Sequence, residues 1–299
     1  MKIAVTGSSG LVGEALVPHL AAGGDDVRRL VRPGAPGQSD AIPWDPDRGT
    51  LDAAALAGVD AIVHLAGENI AAGRWNDERK RRILASRVTG TRLVAETLAA
   101  MQHPPRVLVC ASAIGFYGPH GDEPIDESAG PGTDFLAGVC SEWEAAADPA
   151  RAAGVRVVHL RFGVVLSPRG GALKKMMTPF KLGAGGRIGS GKQWMSWVSI
   201  EDAVGAVRQA LHYARLDGPV NVVAPNPVTN AQFTKLLGHA LGRPTIFPMP
   251  AFAARLAFGE MADHLLLTGQ KVLPRRLLET GYRFRHPSLE EALRHLLGR

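Results

Sequence analysis

Thr6-Gly7-Ser8-Ser9-Gly10-Leu11-Val12-Gly13 is the stretch whose residue types and spacing point most directly to chemistry. Its glycines recur at every third position. Ile3-Ala4-Val5 ahead of it is a short apolar run of strand character, and Leu11, Leu16 and Leu20 suit one face of a following helix. Gly7 permits a tight turn, Gly10 lets backbone come close to a pyrophosphate, and Gly13 lets helix and strand close up. The first-turn N–H groups of a helix have no intrahelical partner and can hold an anion. A dinucleotide cradle built from Thr6, Gly7, Ser9, Gly10, Leu11, Val12 and Gly13 is therefore expected; the bland alternative is a glycine-rich turn.

Two arginines extend this pattern. Val27 to Val31 reads as a second strand, with Arg32 at its end and Pro33-Gly34 breaking it. An acidic residue there would accept from a ribose 2′-hydroxyl, whereas a guanidinium suits a 2′-phosphate and can pair with it bidentately. Asp25 and Asp26 lie at the wrong end of the strand, so NADP (NADPH) is expected over NAD, with a plain surface arginine as the alternative. On a predicted helix from about Asn76 to Met101, Leu84, Val88, Thr91, Val94, Ala95 and Leu98 share one face, and Arg87 falls in the middle of it. A buried cation needs an anionic or strongly accepting partner. A cofactor phosphate or ribose would serve, as would a buried carboxylate, or the side chain could snorkel to water. Lys80 shares the arc but sits in the first turn, within reach of water.

The elements that must position these groups alternate. Ile42-Pro43-Trp44-Asp45-Pro46 reads as a short strand entering a turn. Asp60 to Gly67 is a stronger strand ending in Leu65, Ala66 and Gly67, where backbone can approach the adenosine side of a cofactor; His64 reads as a packed strand residue. Arg106 to Ser112 is the next strand, and a helix is expected over Asp134–Ala147. Asp126-Glu127 suits capping or a turn. Val155 to Arg161 is a further strand running on through Phe162-Gly163-Val164-Val165-Leu166, with Gly163 and Val164 placed against the cofactor. Such alternation argues an α/β fold, a Rossmann-type doubly wound parallel sheet with right-handed crossovers, carrying a smaller C-terminal α/β substrate cap. Gly7, Arg32, Ala66, Ser112 and Gly163 would all lie at C-terminal strand ends, where open α/β sheets bind ligands.

Beyond Leu166 the texture changes. Residues 170–191 are rich in glycine and basic residues, and Arg187, Lys192, Gln193, Trp194 and Trp197 could hold a phosphate and stack a ring, or form a structural loop under the cap. The expected division is a cofactor domain over 1–165, rejoined by about 195–225, a cap mainly over 166–250 and a helical C-terminal part over 251–299. Two short helical patterns are expected from Arg255 onward, including an amphipathic Ser288–Leu297.

The 299 residues allow a sizeable core, and 45% hydrophobic with 21% charged residues is ordinary globular composition. Two cysteines, Cys110 and Cys140, form no framework and suit a reducing compartment. No secretory signal or membrane span is apparent, so a cytoplasmic protein is expected. The net charge of +6 concentrates only at Arg79-Lys80-Arg81-Arg82, without zinc spacing or RNA-binding aromatics, which reads as a solvated helix face and not a nucleic-acid site. No metal site is expected, and the chain is expected to be a monomer or homodimer.

TGSSGLVG, HLAGENI, RWNDERK, SRVTGTRL, SAIGFYG, FLAGVCSEWE, RFGVVLSPRGGAL, GSGKQWMSWVSIEDAV and the run from Pro250 to Phe284 together give the chain a resemblance along its whole length. It resembles the atypical extended short-chain dehydrogenase/reductases of NAD-dependent epimerase/dehydratase type, the epimerase family proteins, some of which carry a cell-division-inhibitor label. Working members of the wider superfamily use Ser or Thr, a Tyr, and a Lys four residues later, with the Tyr transferring a proton while nicotinamide transfers hydride. Aligning Glu144 with the usual downstream Glu puts Leu136 at the Tyr position and Cys140 at the Lys position, and Arg87 stands where Asn is usual. Ser112 would be the surviving Ser, unless a one-residue slip puts Ala113 there. Cys140 could be reactive beside Arg87, or a small buried hydrophobe. Tyr117 could donate a proton, or be structural as in related proteins. The resemblance implies an NADP-dependent oxidoreductase or epimerase acting on a nucleotide sugar or other small polar substrate. The missing Tyr/Lys pair implies instead a catalytically silent, cofactor-binding regulator or interaction protein.

Overall fold

The computed structural model describes residues 1–34 and 41–298. The first half runs β1 (Lys2–Thr6), α1 (Leu11–Ala22), β2 (Asp26–Val31), β3 (Ile42–Asp45), β4 (Thr50–Leu51), β5 (Ala61–His64), α2 (Asp77–Ala100), β6 (Val107–Ala113), α3 (Phe135–Ala145), α4 (Asp148–Ala152) and β7 (Arg156–Phe162). The second half runs β8 (Val164–Leu166), α5 (Gly171–Lys181), β9 (Trp194–Met195), β10 (Trp197–Ser199), α6 (Ile200–His212), β11 (Gly218–Val222), β12 (Val228–Thr229) and α7 (Asn230–Leu241). Four helices complete it: α8 (Ala251–Phe258), α9 (Met261–Leu265), α10 (Arg275–Glu279) and α11 (Leu289–Leu296).

The main sheet has the order β11-β7-β6-β5-β1-β2-β3-β4, parallel except for β4 at one edge. Side chains alternate across it. Ile3, Val5, Val63, Val109 and Leu160 enter a core against α1 and α6, while Ala4, Ile62, Leu108 and Val157 enter another against α2 and α4. Burial on both faces is why these strands read as continuous apolar runs. Each such Val, Leu or Ile contributes about 1.5–3 kcal/mol relative to exposure. Strand order reverses between β1 and β5, so the crevice at their C-terminal ends is the topological switch point.

The helix expected from Asn76 forms with Asn76 as its cap, its Oδ1 accepting from the Arg79 N–H at 2.8 Å. Asp134 caps α3 in the same way. The run expected to continue from Val155 to Leu166 instead breaks at Gly163. There the chain leaves the main sheet, and β8 pairs with β10. A Cβ at Gly163 would sit 2.4 Å from the Ser196 carbonyl oxygen, so only glycine lets these segments touch. β8, β10, α5, α7 and α11 surround a separate core containing Leu173, Trp197, Phe233 and Leu293. α6 and β11 return to the main sheet. From residue 251 the chain forms α8 to α11 rather than two short helices; α9 and α10 are only five residues each, too short to leave a periodic signature. No helix among the described residues is long and apolar enough to cross a membrane.

Candidate functional site

The turn between β1 and α1 has the shape an anion cradle needs. Gly7 has φ +63°, and a Cβ there would meet Ala66 N and Leu65 backbone at 2.7 Å. A Cβ on Gly13 would lie 2.2 Å from the Gly7 carbonyl oxygen. Ser9 and Gly10 are exposed on the rim. Gly10 begins α1 with no side-chain cap, which leaves the N–H groups of Leu11 and Val12 facing outward for an acceptor. Thr6 departs from its expected role. It is fully buried, with Oγ1 2.8 Å from His64 Nδ1 and accepting from Leu65 N at 3.1 Å. Its hydroxyl stitches the ends of β1 and β5 together and is not presented to a ligand. His64 is held by that contact and by Trp44, ring centroids 5.7 Å apart, and burial lowers its pKa to about 4.

Arg32 follows β2 at the same end of the sheet and is exposed. Arg87 is half-buried on α2. Its Nη1 and Nη2 donate to the carbonyls of Ile83 and Glu68, both at 3.0 Å, and its guanidinium carbon lies 5.0 Å from the centroid of Trp143. The Glu68 carboxylate is taken by Arg79 at 2.8 Å. Arg87 is therefore a desolvated cation whose described partners are carbonyl dipoles and an aromatic face, and burial lowers its pKa. Backbone at Gly67 passes directly over it. The sequence placed Lys80 in water; it pairs with Glu260 of the C-terminal segment at 2.5 Å.

A cavity of about 860 Å³ opens beside Arg87 between the sheet ends, the cap and the C-terminal helices. Gly163, Val164, Gln193 and Trp194 line it, as do Leu136 and Cys140. Most of its wall is apolar, with Ile83, Val139, Met176, Phe180, Phe233 and Phe258 among its residues. Trp194 is fixed by donation from Nε1 to Asp122 Oδ1 at 2.8 Å, and Gln193 donates to the carbonyls of Ile188 and Leu266. The other expected substrate residues lie elsewhere. Trp197 is fully buried in the cap core, its Nε1 donating to the Asn226 carbonyl at 3.1 Å. Arg187 and Lys192 are exposed and outside the cavity wall; Arg187 donates to the Ser190 carbonyl of its own loop.

The three catalytic candidates are corrected by their surroundings. Alternation along β6 turns Ser112 inward, where its hydroxyl donates to Glu144 Oε1 at 2.6 Å, and leaves Ala113 on the cavity wall. Glu144 is gripped by Arg161 through Nε and Nη2, both at 2.8 Å. Arg161 Nη1 donates to Tyr117 Oη at 3.0 Å, and Tyr117 donates to Asn221 Oδ1 at 2.7 Å. Tyr117 is fully buried, with its pKa raised by burial. Ser112 and Tyr117 thus belong to a buried polar chain beneath the site, not to its surface. Cys140 does reach the wall, but burial and the nearby Glu144 push its thiol up to about 12, the reverse of an activated nucleophile.

A pair with no local sequence signal stands in the wall instead. His264 of α9 places Nδ1 3.0 Å from Asp134 Oδ2, its ring stacked on Trp75 at 5.5 Å, and Glu260 Oε1 lies 3.6 Å from Nε2. The two residues are 130 apart in the chain, so only the folded C-terminal segment joins them.

Residues 3–223 match the model of the NAD dependent epimerase/dehydratase family. The chain belongs to that family. Residues 249–296 match a domain of unknown function, DUF1731. An epimerase family protein of Mycobacterium bovis is 46% identical over 97% of this chain and 96% of its own. The human epimerase family protein SDR39U1, solved with NADPH, superposes with a TM-score of 0.90 at 37% identity, covering 100% of both chains. A nucleoside-diphosphate sugar epimerase from Corynebacterium glutamicum gives a TM-score of 0.83 at 39% identity, covering 100% of this chain and 58% of its own. Within this family fold, the cradle, Arg32 and Arg87 are laid out along the switch-point crevice. The side chains at the cavity end of that crevice, Ala113, Leu136 and Cys140, offer no ordinary proton donor.

Proposed function

We propose that the protein binds NADPH along this crevice and acts as a reductase or epimerase on a small molecule held in the cavity. The observation that carries this is Arg87: a desolvated guanidinium, answered by carbonyls and a ring, standing where the crevice enters the cavity. The N–H groups at the start of α1 would hold the pyrophosphate, Arg32 the 2′-phosphate, and Arg87 a ribose or phosphate oxygen. The human relative solved with NADPH supports the choice of cofactor. When bound, NADPH would supply a hydride at its nicotinamide.

The chain's own residues then have to orient the substrate, exclude water and move a proton. The apolar wall supports the first two and favours a substrate with an apolar body beside its reacting carbonyl. Leucine at 136 carries no proton, and the Cys140 thiol holds its own too tightly to exchange it at neutral pH. Proton transfer falls to His264, oriented by Asp134. A nucleotide sugar remains the second substrate reading, favoured by the similarity to the Corynebacterium glutamicum protein. The apolar trio Ala113, Leu136 and Cys140 favours a silent NADPH-bound regulator, the role into which a cell-division label would fall.

Titration of NADPH and NADH into wild type and Arg32→Ala tests the cofactor assignment. Loss of a charge-assisted phosphate contact, about 1.5–3 kcal/mol, should weaken NADPH roughly tenfold or more and leave NADH nearly unchanged. An unaltered NADPH preference refutes it. Following NADPH absorbance with apolar carbonyl compounds, and isomer formation from nucleotide sugars in the presence of NADP+, then separates the readings: reduction or isomerisation abolished by His264→Asn supports the enzyme, and neither reaction with any compound supports the regulator.

A further inference from the structure

Outside the cavity wall, Glu201 in the first turn of α6, His286 ahead of α11 and His295 in its last turn bring a carboxylate oxygen and two ring nitrogens within 4.8 Å of one another. His295 Nε2 is 3.5 Å from Glu201 Oε1. The two imidazoles are stacked, ring centroids 4.5 Å apart. Glu201 Oε2 is buried and has no hydrogen-bond partner among the described residues. An orphaned carboxylate oxygen is expensive, and here it belongs to a carboxylate gathered with two imidazoles.

We propose that Glu201, His286 and His295 form a binding site for a borderline divalent transition-metal ion, zinc above all. Zinc bonds of about 2.0–2.2 Å in tetrahedral geometry set ligand atoms roughly 3.3 Å apart. The Glu201–His295 pair is already near that spacing, and the remaining contacts need to close by about 1.5 Å at most. Side-chain rotation supplies that, since the His295 side chain is 57% exposed. Two imidazoles and one carboxylate select zinc-like ions over magnesium or calcium, which prefer all-oxygen shells. The fourth position is left to water. The C-terminal end of α11 favours a cation and the N-terminal end of α6 opposes it; the Glu201 charge decides the sum. Because α6 lies against the main sheet and α11 against α7, the ion would clamp the cap to the cofactor domain.

The test is isothermal titration of ZnCl2 into the chelator-treated full-length protein at neutral pH. One equivalent should bind and raise the melting temperature, and MgCl2 should give no comparable heat. His286→Ala, His295→Ala and Glu201→Gln should each weaken zinc binding at least about tenfold, with circular dichroism and NADPH affinity like wild type. Substitution with Co2+ should give the visible absorption of a four-coordinate site in wild type and lose it in His295→Ala. Absence of zinc uptake, or variants that bind as tightly as wild type, would overturn the proposal; the second outcome moves binding to histidines elsewhere.

Discussion

Removing the Glu144 carboxylate should cost the fold more than removing the Ser112 hydroxyl bonded to it or the Tyr117 hydroxyl bonded to Arg161. Glu144 and Arg161 have side chains only 12% and 4% exposed, and the guanidinium spends Nε and Nη2 on the two carboxylate oxygens. Glu144→Ala leaves that cation buried without its counter-ion and strands the Ser112 hydroxyl. Breaking a buried pair from one side costs about 3–5 kcal/mol, which lowers a melting temperature on the order of 10 °C. Glu144→Gln keeps one acceptor and should fall between. Ser112→Ala removes a donor to the carboxylate, and Tyr117→Phe removes both an acceptor for Arg161 and a donor to Asn221, about 1.5–3 kcal/mol apiece. Both should leave NADPH affinity at the wild-type value. Differential scanning calorimetry and fluorescence titration on the same four variants check the series. A Glu144→Ala protein that melts within about 2 °C of wild type would refute the buried-pair account. Loss of cofactor-linked turnover in a fully stable Ser112→Ala would restore that serine to the active site.

Further outcomes follow from the same geometry. Gly13→Ala puts a Cβ 2.2 Å from the Gly7 oxygen and should abolish saturable NADPH binding, measured by fluorescence titration. With Cys140 pushed from 9.0 up to about 12, its thiolate population at neutral pH falls about a thousandfold; iodoacetamide should label the folded protein correspondingly more slowly than the urea-unfolded chain, and equal rates would contradict the burial. His64 is lowered from 6.5 to about 4, so it stays neutral in the fold while the unfolded chain takes up a proton. Its contribution is complete above pH 6.5 and is lost as pH falls towards 4, about 3 kcal/mol in all. Urea midpoints over that range should drop, and less steeply in His64→Gln.

What the sequence made legible was local. The glycine turn, Arg32 at a strand end and Arg87 on an apolar helix face each depend on a few neighbouring residues, and their periodicity survives without knowledge of the fold. The alternation of strands and helices likewise gave the sheet. Contacts formed across the chain left no such mark. Tyr117 and Asn221 are 104 residues apart, and His264 and Asp134 are 130 apart. A one-residue difference along β6 decides whether Ser112 or Ala113 faces the cavity, and strand periodicity fixes the alternation but not its phase. Trp194 and Trp197 look alike in sequence, yet β9 and β10 send one to the cavity wall and the other into the cap core.

The excursion of the chain at Gly163, its return at Ser199 and its second departure after Val222 stitch the two lobes together at separate places. A lobe hung from a single linker can swing wide to admit a large guest. One held at several seams can only breathe, because opening any seam strains the others.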